Sequence, residues 1–170
     1  EHLPHPGVKN ANPSTGGFAM ARATEHDIKV LNNLIETTLD SADGYRQAAS
    51  NAGASQYTSL FAQFADQRRQ VVSDLQGQVR VLGGTPDDDG SVLAAAHRKF
   101  LDLRDHLTKG DQNVIEEVER GEDYLKAKYE DALEDEELSP EVRDAVVRAY
   151  GSVKAGHDEA SRLKHSFKRS

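Results

Sequence analysis

The sequence predicts an all-α domain arranged as a four-helix bundle, and three observations carry that prediction. Apolar residues recur at spacings of three and four along four long stretches, which is the pattern of one buried helix face. Short segments with glycine or proline separate the stretches, and no alternating strand pattern competes with them. With 170 residues, the chain is long enough for one domain with a substantial core.

The first two helices are predicted from about residue 25 to 51 and from about 55 to 82. Thr24 and Asp27 give a capping signature at the start of the first helix, and Gly53 follows its end. The second helix ends at Gly83 and Gly84, and the aspartate-rich loop that follows contains Pro86. The first stripe contains Ile28, Leu31, Ile35, Ala42, Tyr45 and Ala49.

A shorter helix is predicted from about residue 91 to 107, ahead of the third long helix. At a rise of ~1.5 Å per residue it is roughly 25 Å long, enough to traverse a bundle. The third long helix then starts at the end of the bundle opposite to the point where the second one stops. The second and third helices are therefore parallel, and the topology is up-down-down-up with a crossing helix between them.

The third and fourth long helices complete the predicted bundle. The third runs from about residue 111 to 136, and the fourth starts where Ser139 caps it and Pro140 takes the first helical position. The bundle thus spans residues 24–166, followed by a short tail over 167–170. Residues 1–23 are expected to form an extended leader. Within it, residues 1–19 are either a natural arm or an added or processed segment ahead of a native start at Met20.

Charge and composition exclude several classes of function. The net charge of −8 argues against nucleic acid or an anionic membrane as a partner, because both require a basic surface. There is no cysteine, so disulfides and thiolate metal sites are impossible. No apolar run approaches the roughly 20 residues of a membrane span, and we expect a cytoplasmic protein. No serine elbow or phosphate-binding glycine loop is present.

Arg68 is the residue that most constrains the interior. It lies on the apolar stripe of the second helix, between Phe64 and Val71. An unpaired buried charge costs several kcal/mol or more, so this guanidinium must meet a carboxylate. Glu122, on the stripe of the third helix, and Glu36, at the edge of the first, are the candidate partners. The sequence therefore predicts a polar cluster inside the bundle.

Four segments carry a resemblance to a known family. They are Asp27–Thr37, Asp43–Ala49, Leu82–Pro86 and Glu119–Asp123. In this order they are similar to segments of the YciF-like bacterial ferritin-like proteins, a domain-of-unknown-function family numbered 2383. The resemblance implies a ferritin-like bundle, some stress-linked members, frequent dimers and no established reaction.

A ferritin-like di-metal site requires a Glu on each of two helices and a Glu-x-x-His on each of the other two. In the second helix, the positions at the depth of the Glu-x-x-His motif are Gln67 and Gln70. The fourth helix has the histidine of the motif, His157, but Lys154 stands where its glutamate would be. What remains is Glu36, Glu122 and His157. One interpretation is a reduced site for iron or manganese. The favoured interpretation is an ion-paired cluster of Arg68, Glu122, Glu36 and His157 without metal or catalytic residues, because the guanidinium already supplies positive charge.

The sequence thus predicts a non-catalytic, stress-associated or structural bundle that associates with itself as a dimer or a larger assembly. The alternative is a metal-binding oxidoreductase with iron or manganese as its cofactor. Self-association is expected because the short crossing helix is rich in apolar residues, namely Val92, Leu93, Phe100, Leu103 and Leu107. Neither nucleic acid nor membrane is expected as a partner.

Overall fold

A computed structural model describes residues 13–89 and 110–168 of the chain. Within these residues there are four helices: α1 (Pro13–Asn51), α2 (Ser55–Val81), α3 (Asp111–Leu133) and α4 (Pro140–Lys168). No strand occurs in these two stretches. None of the helices there combines the length and the apolar character that crossing a membrane requires. The predicted all-α bundle is confirmed.

Side-chain contacts fix the directions of the helices. Short turns make α1 and α2 one antiparallel pair and α3 and α4 another. Tyr45 of α1 contacts Glu122 of α3, whereas Thr38, earlier in α1, contacts Tyr129, later in α3. The helices α1 and α3 are therefore antiparallel, which makes α2 and α3 parallel. This is the predicted up-down-down-up topology.

The predicted crossing helix falls outside the described residues, but the segment that leads to it is described. Gly83 has φ of +81°, and its N–H and that of Gly84 donate to the carbonyls of Arg80 and Val79, which closes the end of α2. Beyond this point Gln76 of α2 donates to the Asp87 carbonyl at 2.9 Å, and Arg69 bonds Asp89 at 3.4 Å. The chain thus runs back along α2, in the direction that the crossing connection requires.

The start of α1 differs from the expectation. The helix begins at Pro13, so the prediction of an extended leader is wrong for residues 13–23; residues 1–12 lie outside the described part. Proline is well suited to a first helical position, and the segment that follows contains helix-favouring alanines. Residues 16–23 are exposed, as Phe18 at 68% illustrates. A helix that does not pack against the bundle needs no apolar stripe, which is why the periodicity did not predict it.

Two apolar clusters fill the bundle, one in each half of its length. One surrounds Leu31, Leu75 and Leu125, and the other surrounds Phe61 and Ile115. Along α2, the first cluster takes positions from Val71 onward and the second takes positions up to Ala65. Arg68 lies between them, and Glu122 occupies the corresponding gap on α3. The core is therefore interrupted at mid-length by a polar layer.

Each end of the bundle is closed by one aspartate. Asp111, at the start of α3, accepts the Gly53 N–H at 2.7 Å and the Ala54 N–H at 3.2 Å, so it binds the α1–α2 turn. At the opposite end Asp27 of α1, 2% exposed, accepts the Ser139 hydroxyl at 2.6 Å and the Ser139 N–H at 3.1 Å. These carboxylates join the two helical hairpins and set the depth of the polar layer.

Candidate functional site

The centre of the bundle holds a buried ion pair between Arg68 and Glu122. Nη2 of Arg68 donates to both carboxylate oxygens of Glu122, at 2.7 and 2.8 Å. The two residues are 3% and 0% exposed. Their helices α2 and α3 lie diagonally across the bundle, so the pair spans its axis. Both charges are removed from water and depend on each other.

Tyr45 of α1 forms a third side of this cluster. Its hydroxyl donates to Oε1 of Glu122, and the Arg68 guanidinium lies over its ring, 5.7 Å from the centroid. The electron-rich face of the ring favours a cation at that place. This contact matters because Nη1 of Arg68 is buried and has no hydrogen-bond partner within residues 13–89 and 110–168.

Burial dominates the ionisation of the cluster. Removal from water raises the pKa of Glu122, while the Arg68 guanidinium and the Tyr45 hydroxyl oppose that rise. Burial and the neighbouring Glu122 carboxylate raise the pKa of Tyr45 well above its ordinary value, so its hydroxyl stays protonated and donates. In the adjacent layer, burial raises the pKa of Tyr129 to about 12.

Gly156 of α4 supplies the space that the guanidinium occupies. A Cβ built on Gly156 would lie 2.2 Å from Nη2 of Arg68 and 3.3 Å from its Cζ. No real Cβ contact is as short as the first of these distances, so any larger residue at position 156 would displace the guanidinium. On the side of α4, the cluster is therefore bounded by the helix backbone at Gly156 and not by a side chain.

The structure brings together Arg68 and Glu122 but not the other residues of the predicted cluster. Glu36 is half-buried on α1, and its described partner is Asp87; burial and that carboxylate raise its pKa. His157 is 17% exposed and directs Nε2 to Asp123 at 2.6 Å. Its hydrogen bonds go to Asp123 and Asp158, and none joins it to Glu122 among the described contacts. Glu36, Glu122 and His157 thus do not converge as metal ligands in the described part of the chain.

Gln67 and Gln70, which the sequence places at the depth of a Glu-x-x-His motif, do not face this layer. Both are exposed, and Gln70 bonds Asp74 one turn later. The inward position between them is Arg68 itself. Lys154 of α4 is also exposed.

The cluster does not fit a di-metal centre. Its inward residues are Tyr45, Arg68, Glu122 and Gly156, one from each helix, and among them they offer a single carboxylate. Both oxygens of that carboxylate already accept hydrogen bonds from Arg68. A di-metal carboxylate site of this fold takes four carboxylates and two imidazoles. The arrangement instead serves to neutralise charge inside the core.

Sequence reasoning missed Tyr45 and Gly156 as members of the cluster. Tyr45 lies on the apolar stripe of α1, where a tyrosine is ordinarily a packing residue. For Gly156 the sequence did contain a signal, because this glycine lies on the inward stripe of α4, three residues after Val153. A core position without a side chain leaves room for a large side chain from another helix.

Replacing Arg68 with alanine is expected to lower the free energy of unfolding by roughly 3–5 kcal/mol, because Glu122 then stays buried without its counter-charge. Urea unfolding followed by circular dichroism measures this change. The control is Arg120→Ala, which removes a partly exposed pair with Glu117 and is expected to cost less than about 1 kcal/mol. Equal losses in both variants would contradict a special role for the buried pair.

Replacing Gly156 with alanine is expected to destabilise by about 1–3 kcal/mol, because the added methyl group displaces the guanidinium. The matched control is Gly151→Ala on the same helix, where a Cβ meets nothing within 4 Å. There the gain in helix propensity should stabilise by up to about 1 kcal/mol. In an Arg68→Ala background the penalty at position 156 should disappear. A penalty that persists there would show that another contact causes it.

Two comparisons with known proteins agree with this architecture. The model of a family described as a domain of unknown function (DUF2383) matches residues 26–135. Among solved structures, a mutant of Dps1 from Mycobacterium smegmatis superposes with a TM-score of 0.74 at 10% sequence identity, over 84% of this chain and 97% of that one. At that identity the likeness concerns the fold alone. Comparison with curated proteins gave no match.

The family match covers more than half of the chain. It includes α1 from residue 26 onward and all of α2 and α3, with the residues of the polar layer that they carry. The chain therefore belongs to the DUF2383 family, and its four helices form a bundle of the ferritin-like type.

Proposed function

We propose that this protein is a non-catalytic ferritin-like bundle with a structural or stress-associated role, which acts by associating with copies of itself. The observation that supports the proposal is the position of Arg68. Its guanidinium occupies the centre of the bundle, where a di-metal protein of this fold directs its ligands. The guanidinium is thus a fixed positive charge at the place where a di-metal site of this fold would hold its ions.

Electrostatics argues against a second cation in this layer. At about 4 Å, and with an effective dielectric constant of about 20, a unit positive charge is repelled by the guanidinium by on the order of 4 kcal/mol. The carboxylate that would offset this repulsion is shared with Arg68 through both oxygens. Iron or manganese would therefore have to displace Arg68 from a buried position.

Within the described residues, the acid and base groups of this layer are closed to a substrate. The Tyr45 hydroxyl and the Glu122 carboxylate are bonded to each other and are fully buried, so a substrate has no direct access to either. His157 reaches the surface, where it bonds Asp123. This arrangement supports a role in holding the bundle together.

The proposal of self-association has two supports. The connection between α2 and α3 carries more apolar residues than an exposed segment of its length requires. On the described surface, Val81 of α2 is 77% exposed and borders a groove of about 640 Å³ between α2 and α4. Covering such surfaces by a second copy would bury apolar area that water otherwise contacts.

We expect no di-metal centre and no iron oxidation. Protein freed of metal with a chelator and then given Fe(II) should oxidise it no faster than buffer does, measured as the appearance of Fe(III) absorbance. Elemental analysis should find no iron or manganese that depends on Glu122. Two equivalents per chain, lost on Glu122→Gln or on His157→Ala, would contradict the proposal and support a metal-binding oxidoreductase.

We expect the protein to form a dimer or a larger assembly. Light scattering coupled to size exclusion should give a mass well above the 18.6 kDa of one chain at micromolar concentrations. Val81→Lys is a sensitive variant, because it places a charge in the α2–α4 groove without touching the core. A mass of 18.6 kDa at every micromolar concentration tested would reject self-association.

A further inference from the structure

Three potential metal ligands meet at the end of the bundle that contains the α3–α4 turn. His26 comes from α1, and Asp135 and Glu137 come from the turn itself. Their ligand atoms all lie within 4.8 Å of one another. Nε2 of His26 is 2.6 Å from Oδ2 of Asp135. This group is separate from the polar layer, since none of its members belongs to the Arg68 cluster.

We propose that His26, Asp135 and Glu137 form a binding site for a divalent transition metal of the Zn²⁺ class. One imidazole and two carboxylates are a donor set that zinc accepts, and three protein ligands leave a position for water. Mg²⁺ and Ca²⁺ are disfavoured because they prefer oxygen ligands throughout. The proposal does not depend on the function proposed above.

The present geometry is close to that of a bound ion. Ligands about 2.0–2.2 Å from a tetrahedral zinc ion lie roughly 3.3–3.6 Å from each other. Nε2 of His26 and Oδ2 of Asp135, now 2.6 Å apart, would therefore separate by a little under about 1 Å as the metal replaces the proton between them. Glu137 is exposed, so its side chain can close the remaining distance without disturbing the core.

Contacts outside the three ligands hold the site in place. Arg143 of α4 donates to the carbonyls of Leu133 and Asp135, which fixes the turn. Asp27, next to His26, bonds Ser139 immediately beyond the turn. Oδ1 of Asp135 accepts the Glu137 N–H at 2.9 Å, which leaves Oδ2 to face His26. The imidazole and the carboxylates are therefore presented by segments that are already ordered.

The surrounding charge favours cations. Six of the eight residues from 130 to 137 are acidic, and such a concentration of negative charge attracts divalent ions. The Arg143 guanidinium opposes this attraction with one positive charge, against the six negative charges of the segment. A bound ion would tie α1 to the α3–α4 turn and so join the two hairpins, in parallel with the Asp27–Ser139 bonds.

Zinc binding by the metal-free chain of 170 residues tests the proposal. Titration against a competing chelator gives the dissociation constant, and thermal unfolding with and without zinc gives the stabilisation of the folded state. We expect one equivalent of zinc and a melting temperature that rises with zinc concentration. His26→Gln and Glu137→Gln should each weaken binding by roughly 10–100-fold or more, since even a partner of a ligand has an effect of that size.

Glu136→Gln is the matched control for Glu137→Gln, because it removes the same charge from the adjacent exposed position. It should leave the dissociation constant within a factor of about two. Equal weakening in the two variants would overturn the proposal, since it would mean diffuse attraction to an acidic surface.

A second control concerns the histidines near the amino terminus. If a His2→Gln/His5→Gln variant loses the zinc while His26→Gln retains it, the ion binds elsewhere and the proposal is wrong. Glu122→Gln should leave zinc binding unchanged, which separates this site from the polar layer. Because Glu137 is exposed, its variant keeps the test valid even if His26→Gln alters the stability of the metal-free protein.

Discussion

A guanidinium buried halfway along a helical bundle imposes a condition on every helix around it. The second helix supplies the cation, the third supplies the carboxylate that neutralises it, and the first supplies an aromatic ring and a hydroxyl. The fourth contributes the absence of a side chain at Gly156. Any axial shift of one helix by a turn, about 5.4 Å, would separate the charges or drive a Cβ into the guanidinium.

Such a pair contributes less to net stability than to the selection of one packing arrangement. Transfer of both charges from water offsets much of their attraction, so an apolar pair of the same volume would serve stability as well. Apolar layers on either side accept a shifted partner at modest cost, whereas the polar layer does not. The Asp27 and Asp111 caps impose the same register from the two ends. The buried pair and the two aspartates therefore all favour the same register between the two helical hairpins.

The sequence was sufficient for the features that depend on periodicity. The spacing of three and four placed Arg68 inward, and the same pattern placed Glu122 opposite to it at a similar depth. The sequence was insufficient for residues at the edge of an apolar stripe, whose side chains can point either into the core or to the surface. Glu36 follows Ile35 directly, and neighbouring residues differ by about 100° around a helix, so its direction depended on the loop that carries Asp87. Gln67 and Gln70 lie one and two positions from Arg68 on the same helix, so they point in other directions when Arg68 points inward.

Contacts between residues far apart in the sequence could not be predicted, because they depend on how the helices and turns are arranged in space. His26 and Asp135 are 109 positions apart, and their contact follows from the bundle topology together with the shape of one turn. The role of Tyr45 was hidden because a tyrosine fits an apolar stripe whether or not its hydroxyl has a partner. The helical start of α1 was not predicted because an exposed helix has no apolar stripe in its sequence.

The exposed start of α1 determines which part of the chain unfolds most easily. From residue 16 to residue 23 the helix runs for roughly 12 Å with its side chains exposed to water. A helix of this length is marginal in water when tertiary contacts do not support it. Its backbone hydrogen bonds therefore break and re-form locally, without unfolding the core. Amide exchange would decline sharply along α1 where the side chain of Asp27 becomes buried, and a protease would trim the chain back to that boundary and leave the four-helix body intact.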